Sequence, residues 1–259
     1  MSAFPAFIPW QELMPPIVEK LLQRLPFGGH RRHPFTAIPA SLDASVILDV
    51  GANVGRVTEA GLRTYARSEV HCFEPVSATF ERLSRRLARF GDRVHLHPFA
   101  LSDRNGEAVI NLTSFHGANS LHHQADLHKR LNPHVRELGT ERIRLQRLDD
   151  FARELPSFCD IMKIDVEGHE LQVLEGGEGF IRDRVDTVLI EISLMRDQSW
   201  EQQAVFDIFA LMKRWGFCLI NVIDLHRARR SDLMLVQMDC VFRKFSRLTT
   251  PTIPESLKR

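Results

Sequence analysis

Three groups of residues in this sequence have the types and spacing to do chemistry together. The first is Asp49, Gly51, Asn53 and Gly55, inside the run Val46-Ile47-Leu48-Asp49-Val50-Gly51-Ala52-Asn53-Val54-Gly55. The second is Glu74, followed by Pro75, with Ser102 and Asp103 further on. The third is Asp165, Glu167 and His169, which leave the apolar run Phe158-Cys159-Asp160-Ile161-Met162-Lys163-Ile164 in quick succession.

The first group reads as a ligand cradle. Glycine at 51 and 55 lets the backbone approach a ligand closely and permits positive φ in a sharp strand-to-helix turn. The amides that open the following helix then face whatever lies above the strand end, where open α/β sheets bind ligands. Asp49 disfavours a pyrophosphate there, because like charges would meet with little water between them, and it suits an ammonium or a sulfonium. The loop is G-A-N-V-G rather than G-x-G-x-x-G. S-adenosylmethionine is therefore expected in preference to a dinucleotide, with simple capping of the turn by Asp49 as the bland alternative.

Glu74 falls one βαβ crossover after Gly51, near the offset of about 20 residues at which such units place a carboxylate for a ribose diol. A surface acid is the competing reading. Asp103, beside Ser102, could accept from an adenine amino group or cap the turn into Arg104-Asn105-Gly106. In the third group His169 has the right intrinsic pKa, near 6.5, for a general base; an orienting hydrogen bond at a helix start explains it equally well. Asp165 and Glu167 could act as bases if desolvated or offer oxygens to Mg²⁺, and Asp165 could instead meet the cofactor ammonium. No strong metal signal accompanies them.

These residues need elements to hold them. Val46 to Val50 is a short β-branched strand, and the polar pattern from Arg56 to Arg67 has helical spacing. Glu69 to Pro75 predicts a second strand, the stripe Phe80, Leu83, Leu87 and Phe90 a helix, and Arg93 to Phe99 a third strand. Gly106 to Leu112 is a short strand, Arg142 to Leu148 an edge strand, and Asp149-Asp150 caps a short helix. Phe158 to Asp165 is the fourth parallel strand, followed by a helix with Leu171 and Leu174 that stops near Gly176-Gly177. Val185 to Ile192 is a fifth strand carrying Glu191. The stretch from Trp200 to Trp215 is an amphipathic helix, and Phe217 to Val222 and Met238 to Phe242 close the sheet.

Residues 1–44 form an extension in which Pro15-Pro16 opens a helix and His30-Arg31-Arg32-His33 reads as a solvated loop with some capacity for phosphate or lipid head groups. Within a loop taken as 113–140, the stretch from Thr113 to Pro133 lacks periodicity and carries His116, His122, His123 and His128, with His134 just beyond. Their spacing fits no standard zinc pattern, and a long irregular loop of this kind suits a lid over a substrate. The tail, 246–259, is expected to be mobile.

The composition sets limits. The 259 residues are 44% hydrophobic and 26% charged, as in an ordinary globular domain. With 34 basic and 33 acidic residues the net charge is +1, too small a field to favour a nucleic-acid substrate. The four cysteines are far apart without a C-x-x-C pair, which reads as buried thiols in a reducing, cytoplasmic setting. No apolar run reaches the roughly 20 residues that cross a bilayer, and peripheral membrane contact stays open.

Taken together, Asp49 to Gly55, Cys72-Phe73-Glu74-Pro75, Ala100-Leu101-Ser102-Asp103, Leu148-Asp149-Asp150 and Lys163 to Glu170 make residues 45–245 resemble the FkbM family of class I S-adenosylmethionine-dependent methyltransferases. The resemblance implies a Rossmann-like, doubly wound α/β fold: a seven-stranded mixed sheet, helices on both faces and an antiparallel last strand. It implies that Asp49, Gly51, Asn53 and Gly55 hold the methionine part of the cofactor, Glu74 its ribose, and Ser102 and Asp103 its adenine. The implied reaction is O-methylation of a hydroxyl on a glycan, glycolipid or polyketide-type molecule. A NAD(P)-dependent oxidoreductase and a non-catalytic cofactor-binding scaffold are the competing readings.

Overall fold

The structure, a computed structural model, describes residues 38, 43–114, 121, 136–193, 203–227 and 235–248. The helix expected after Pro15-Pro16, the basic patch, the five loop histidines and the tail beyond Leu248 lie outside the described residues.

Seven strands form the main sheet: β1 (Val46–Val50), β2 (Glu69–Phe73), β3 (Val94–His97), β7 (Cys159–Ile164), β8 (Val185–Ser193), β9 (Phe217–Arg227) and β10 (Leu235–Lys244). Their order is β3-β2-β1-β7-β8-β10-β9. β1 pairs in parallel with β2 and β7, whereas β10 runs antiparallel to both β8 and β9. This is the mixed sheet that the family resemblance implies.

The central strands are apolar on both faces because helices cover both. Leu48, Val50, Met162 and Ile164 join one core with Leu174, Ile181, Met212 and Trp215. Ile47, Ile161 and Leu189 join the other with Leu62, Leu83 and Leu87. The helices are α1 (Arg56–Thr64), α2 (Ser77–Leu87), α3 (Leu148–Phe151), α4 (Glu170–Gly176), α5 (Glu178–Arg184) and α6 (Gln203–Arg214). In α6 Val205, Ile208 and Met212 are buried, the inward stripe expected from their spacing. Truncating a fully buried leucine such as Leu83 to alanine should cost about 2–5 kcal/mol.

Three expectations are corrected. The first helix ends at Thr64, short of Arg67, where Tyr65 donates its amide to the Gly61 carbonyl and Ser68 donates its amide to the Tyr65 carbonyl. Arg142 to Leu148 is not an edge strand: β6 (Glu137–Gln146) is the middle strand of a second, three-stranded sheet, between β4 (Ala100–Leu101) and β5 (Gly106–Thr113). Its alternation reflects one covered face, where Ile143 and Leu145 pack with Val76 and Ile110. Asp149 and Asp150 fall inside the first turn of α3, not at its cap. Asp149 caps α5 instead, accepting the Gly179 and Phe180 amides at 3.0 and 2.8 Å.

All four cysteines are free; Cys72, Cys159 and Cys240 are buried, while Cys218 is only half-buried. Among the described residues no helix is long and apolar enough to cross a membrane.

Candidate active site at the switch point of the sheet

From β1 the chain winds outward to β2 and β3, then returns to β7 on the other side of β1. The crevice at such a reversal is where open α/β sheets take ligands, and two strand exits meet there. After β1 the backbone turns through Gly51, Asn53 and Gly55, at φ 75°, 50° and 78°. Gly51 and Ala52 both donate their amides to the Phe73 carbonyl at 3.0 Å, which pins the turn over β2. A Cβ at Gly51 would lie 1.9 Å from the Asp165 carbonyl oxygen. The two exits therefore touch backbone to backbone, and only glycine fits.

Glu74 leaves β2 beside this turn. Its Oε2 accepts the Asn53 amide at 3.0 Å and its Oε1 the Val76 amide at 2.9 Å. Burial pushes its carboxyl up to about 7, against the opposing pull of those two amides. Each oxygen can still accept a second hydrogen bond. The structure thus joins the Asn53 turn and Glu74, two features far apart in the chain.

Asp49, expected to face a ligand's cation, faces one of the chain's own. It is 1% exposed, accepts the Thr58 hydroxyl at 2.6 Å and pairs with the Lys163 ammonium at 3.1 Å. The register explains this: Asp49 and Lys163 are partners on adjacent parallel strands, so their side chains share the face that α1 covers. A direct grip on a ligand by Asp49 is not what this geometry offers.

Lys163 reaches further. Its ammonium lies 3.2 Å from Asp165 Oδ2 and donates to the Gly51 carbonyl at 3.2 Å. Burial alone would lower its pKa, but Asp165 and Asp49 outweigh burial and the net direction is upward. Asp165, by contrast, keeps 34% of its side chain exposed.

Beyond Asp165 the chain makes a tight loop. Glu167 and Gly168 have positive φ, and Glu170 Oε1 accepts the Val166 and Gly168 amides at 3.3 and 3.0 Å. This brings carboxylate oxygens of Asp165, Glu167 and Glu191 within 4.8 Å of one another. Burial raises the carboxyl of Glu167, and Asp165 and Glu170 add to the rise. Burial, with Asp165, Glu167 and Asp239, pushes Glu191 up to about 11. Acids so close favour a proton or cation among them, and the Lys163 ammonium beside Asp165 supplies one positive charge at the edge of the group. Their donor chemistry fits a hard cation that takes oxygen ligands.

His169 sits elsewhere in the arrangement. It precedes α4 as its N-cap residue, is 7% exposed, and its Nε2 lies 3.0 Å from Ser102 Oγ. Ser102 donates its hydroxyl proton to Asp103 Oδ1 at 2.9 Å, which makes the ring nitrogen the donor of the other bond. A Cβ at Gly176 would lie 1.8 Å from the Ser102 carbonyl oxygen, so α4 packs directly on that segment. Ser102, Asp103 and His169 form one linked unit.

Sequence reasoning missed three contributors: Lys163, Thr58 and Glu191. Lys163 did leave a signal, a lone cation inside an apolar strand two residues before Asp165. Thr58 left none, and Glu191 gains its meaning only from the strand beside it.

A mixed seven-stranded sheet with a glycine turn at its switch point defines the class I methyltransferase architecture. The chain matches the Methyltransferase FkbM domain over residues 49–219, well over half of its length, and it belongs to that family. It is 30% identical over 141 residues to the 2-O-methyltransferase NoeI of Sinorhizobium fredii, covering 51% of this chain and 57% of that one. It is also 30% identical over 149 residues to the hexuronic acid methyltransferase AglP of Haloferax volcanii, covering 57% and 55%. The crystal structure of Methyltransferase FkbM from Methylobacillus flagellatus KT superposes with a TM-score of 0.52 at 16% identity, covering 83% of this chain and 48% of that one. That superposition supports the fold alone. The chain spans about half the length of these proteins.

Proposed function

We propose that this protein transfers a methyl group from S-adenosylmethionine to a hydroxyl oxygen of a glycan, glycolipid or polyketide-type acceptor. The observation that carries the reading is the bond from the Asn53 amide to Glu74. It sets a glycine-rich turn and a buried carboxylate side by side at the switch point, suited to the methionine and ribose parts of one cofactor. The Gly51 to Gly55 turn takes the methionine end, Glu74 the ribose diol, and the Ser102–Asp103 segment the adenine. The NoeI relative, an O-methyltransferase by name, supports oxygen as the acceptor atom.

In the reaction the carbon–sulfur bond of the donor breaks as the carbon–oxygen bond of the product forms, and the thioether leaves. Aligning the two reactants supplies much of the acceleration, about 7–11 kcal/mol in well-oriented systems. The hydroxyl proton passes to a carboxylate oxygen of the Asp165–Glu167–Glu191 group, whose oxygens lie within 4.8 Å of one another. His169, buried against Ser102, orients the segment and does not take the proton.

Titration with S-adenosylhomocysteine and, separately, NADH tests the cofactor. Binding of the first alone is expected, and binding of NADH alone would revive the dehydrogenase reading. Label transfer from methyl-labelled donor to a panel of sugar, lipid and polyketide alcohols tests the acceptor. A chain that binds the donor yet labels none of them would point to the scaffold reading.

A further inference from the structure

Lys163 is the one buried cation at the switch point among the described residues, and its three partners come from both strand exits. An isolated ammonium inside a sheet would be prohibitively costly, and breaking a buried pair by removing one partner is strongly destabilising. Here the ammonium is shared: Asp49 at 3.1 Å, Asp165 at 3.2 Å and the Gly51 carbonyl at 3.2 Å. Asp49 has no exposed surface of its own to speak of, so a ligand meets this group only through Asp165 and the Gly51 turn.

The charges can be counted. Two carboxylates and one ammonium leave a single net negative charge behind the glycine turn. The methionine end of a sulfonium donor carries an ammonium, a carboxylate and the sulfonium, hence one net positive charge. The demethylated product has lost the sulfonium charge and is neutral at that end.

We infer that Lys163 is a positioning residue that sets this balance: it holds the Gly51 turn and trims to a single negative charge the strand end by which Asp49 and Asp165 favour the charged donor over the neutral product. The inference rests on the S-adenosylmethionine reading proposed above. It assigns the buried Asp49–Lys163 pair a part in donor-over-product selectivity, beyond that of a structural tie.

The test is calorimetric titration of the full chain and its D49N, K163M and D49N/K163M variants with both S-adenosylmethionine and S-adenosylhomocysteine. The readout is the ratio of the two affinities. D49N leaves no net charge and should lower the donor preference by at least about threefold; K163M leaves two negative charges and should raise it by a similar factor, while weakening both ligands. The double variant restores the count and should return the ratio to the wild-type value. If K163M does not fold, D49N and the double variant still decide the matter. A purely structural lysine would shift both affinities together, so a ratio unchanged across the variants overturns the inference. Wild-type protein that binds neither ligand would sink the cofactor reading itself, a separate result.

Discussion

The passages Asp49 to Gly55 and Lys163 to Glu170 use the same local grammar: an apolar parallel strand, acidic residues, a positive-φ turn and a helix. They end up with opposite electrostatics. In the first, the acid is buried and matched, by Thr58 at 2.6 Å and Lys163 at 3.1 Å. In the second, Asp165 and Glu167 crowd with Glu191 of β8 within 4.8 Å, and burial first, then repulsion from neighbouring acids, raises Glu167 and Glu191. A matched acid builds a rigid cradle. Crowded acids, by contrast, favour a proton, a cation or a hydroxyl donor among them.

The largest effect that would test this contrast is Gly51→Ala. With φ at 75° and a Cβ 1.9 Å from the Asp165 carbonyl oxygen, the substitution should cost about 3 kcal/mol or more and abolish cofactor binding. Urea unfolding and product titration would check it; wild-type affinity would mean the two exits do not meet as described.

Neutralising an acid should then have opposite signs in the buried Asp49–Lys163 pair and in the crowded group around Glu167. Asp49→Asn, which removes a partner of buried Lys163, should destabilise by about 2–4 kcal/mol. Glu191→Gln should stabilise by about 1 kcal/mol or more at pH 8. The sign follows from linkage. Glu191 is raised to about 11 in the folded chain, so the folded state holds a proton that the unfolded state releases above pH 4.5. Wild-type stability therefore falls as pH rises through that window, by at most about 1.4 kcal/mol per pH unit. The Gln variant lacks this loss, so its advantage should widen from pH 5 to pH 9. Unfolding curves giving a constant gap would remove Glu191 from the crowded group.

The smallest expected effect concerns His169. If the ring only orients the Ser102 segment, His169→Gln and Ser102→Ala should each slow methyl transfer by less than about tenfold, and the double variant should be no slower than the worse single one. A general base would behave differently, losing about 10²–10⁴-fold in His169→Gln alone. Single-turnover rates with a working acceptor distinguish the two.

Much of this was legible beforehand. The strand–turn–helix passages follow from local patterns, because hydrophobic period and turn chemistry act within a few residues; the link of the glycine turn to Glu74 was legible from the βαβ offset, and the seven-stranded sheet from the family resemblance. The second sheet was not legible. β6 alternates like any half-covered strand, and nothing in its own residues says whether a neighbour lies on one edge or both. Asp149-Asp150 misled for a related reason: an acid pair before a helix reads as its cap, yet Asp149 serves α5 from across a packing contact.

The sequence by itself determined the family, the succession of strands and helices, and which turns face the switch point, since each depends on neighbours along the chain. Only the tertiary structure decided what the charges do. Whether a carboxylate is quenched or exposed depends on the cation beside it, and the register that seats Lys163 between Asp49 and Asp165, or brings Glu191 beside Glu167, joins residues that the chain itself keeps far apart.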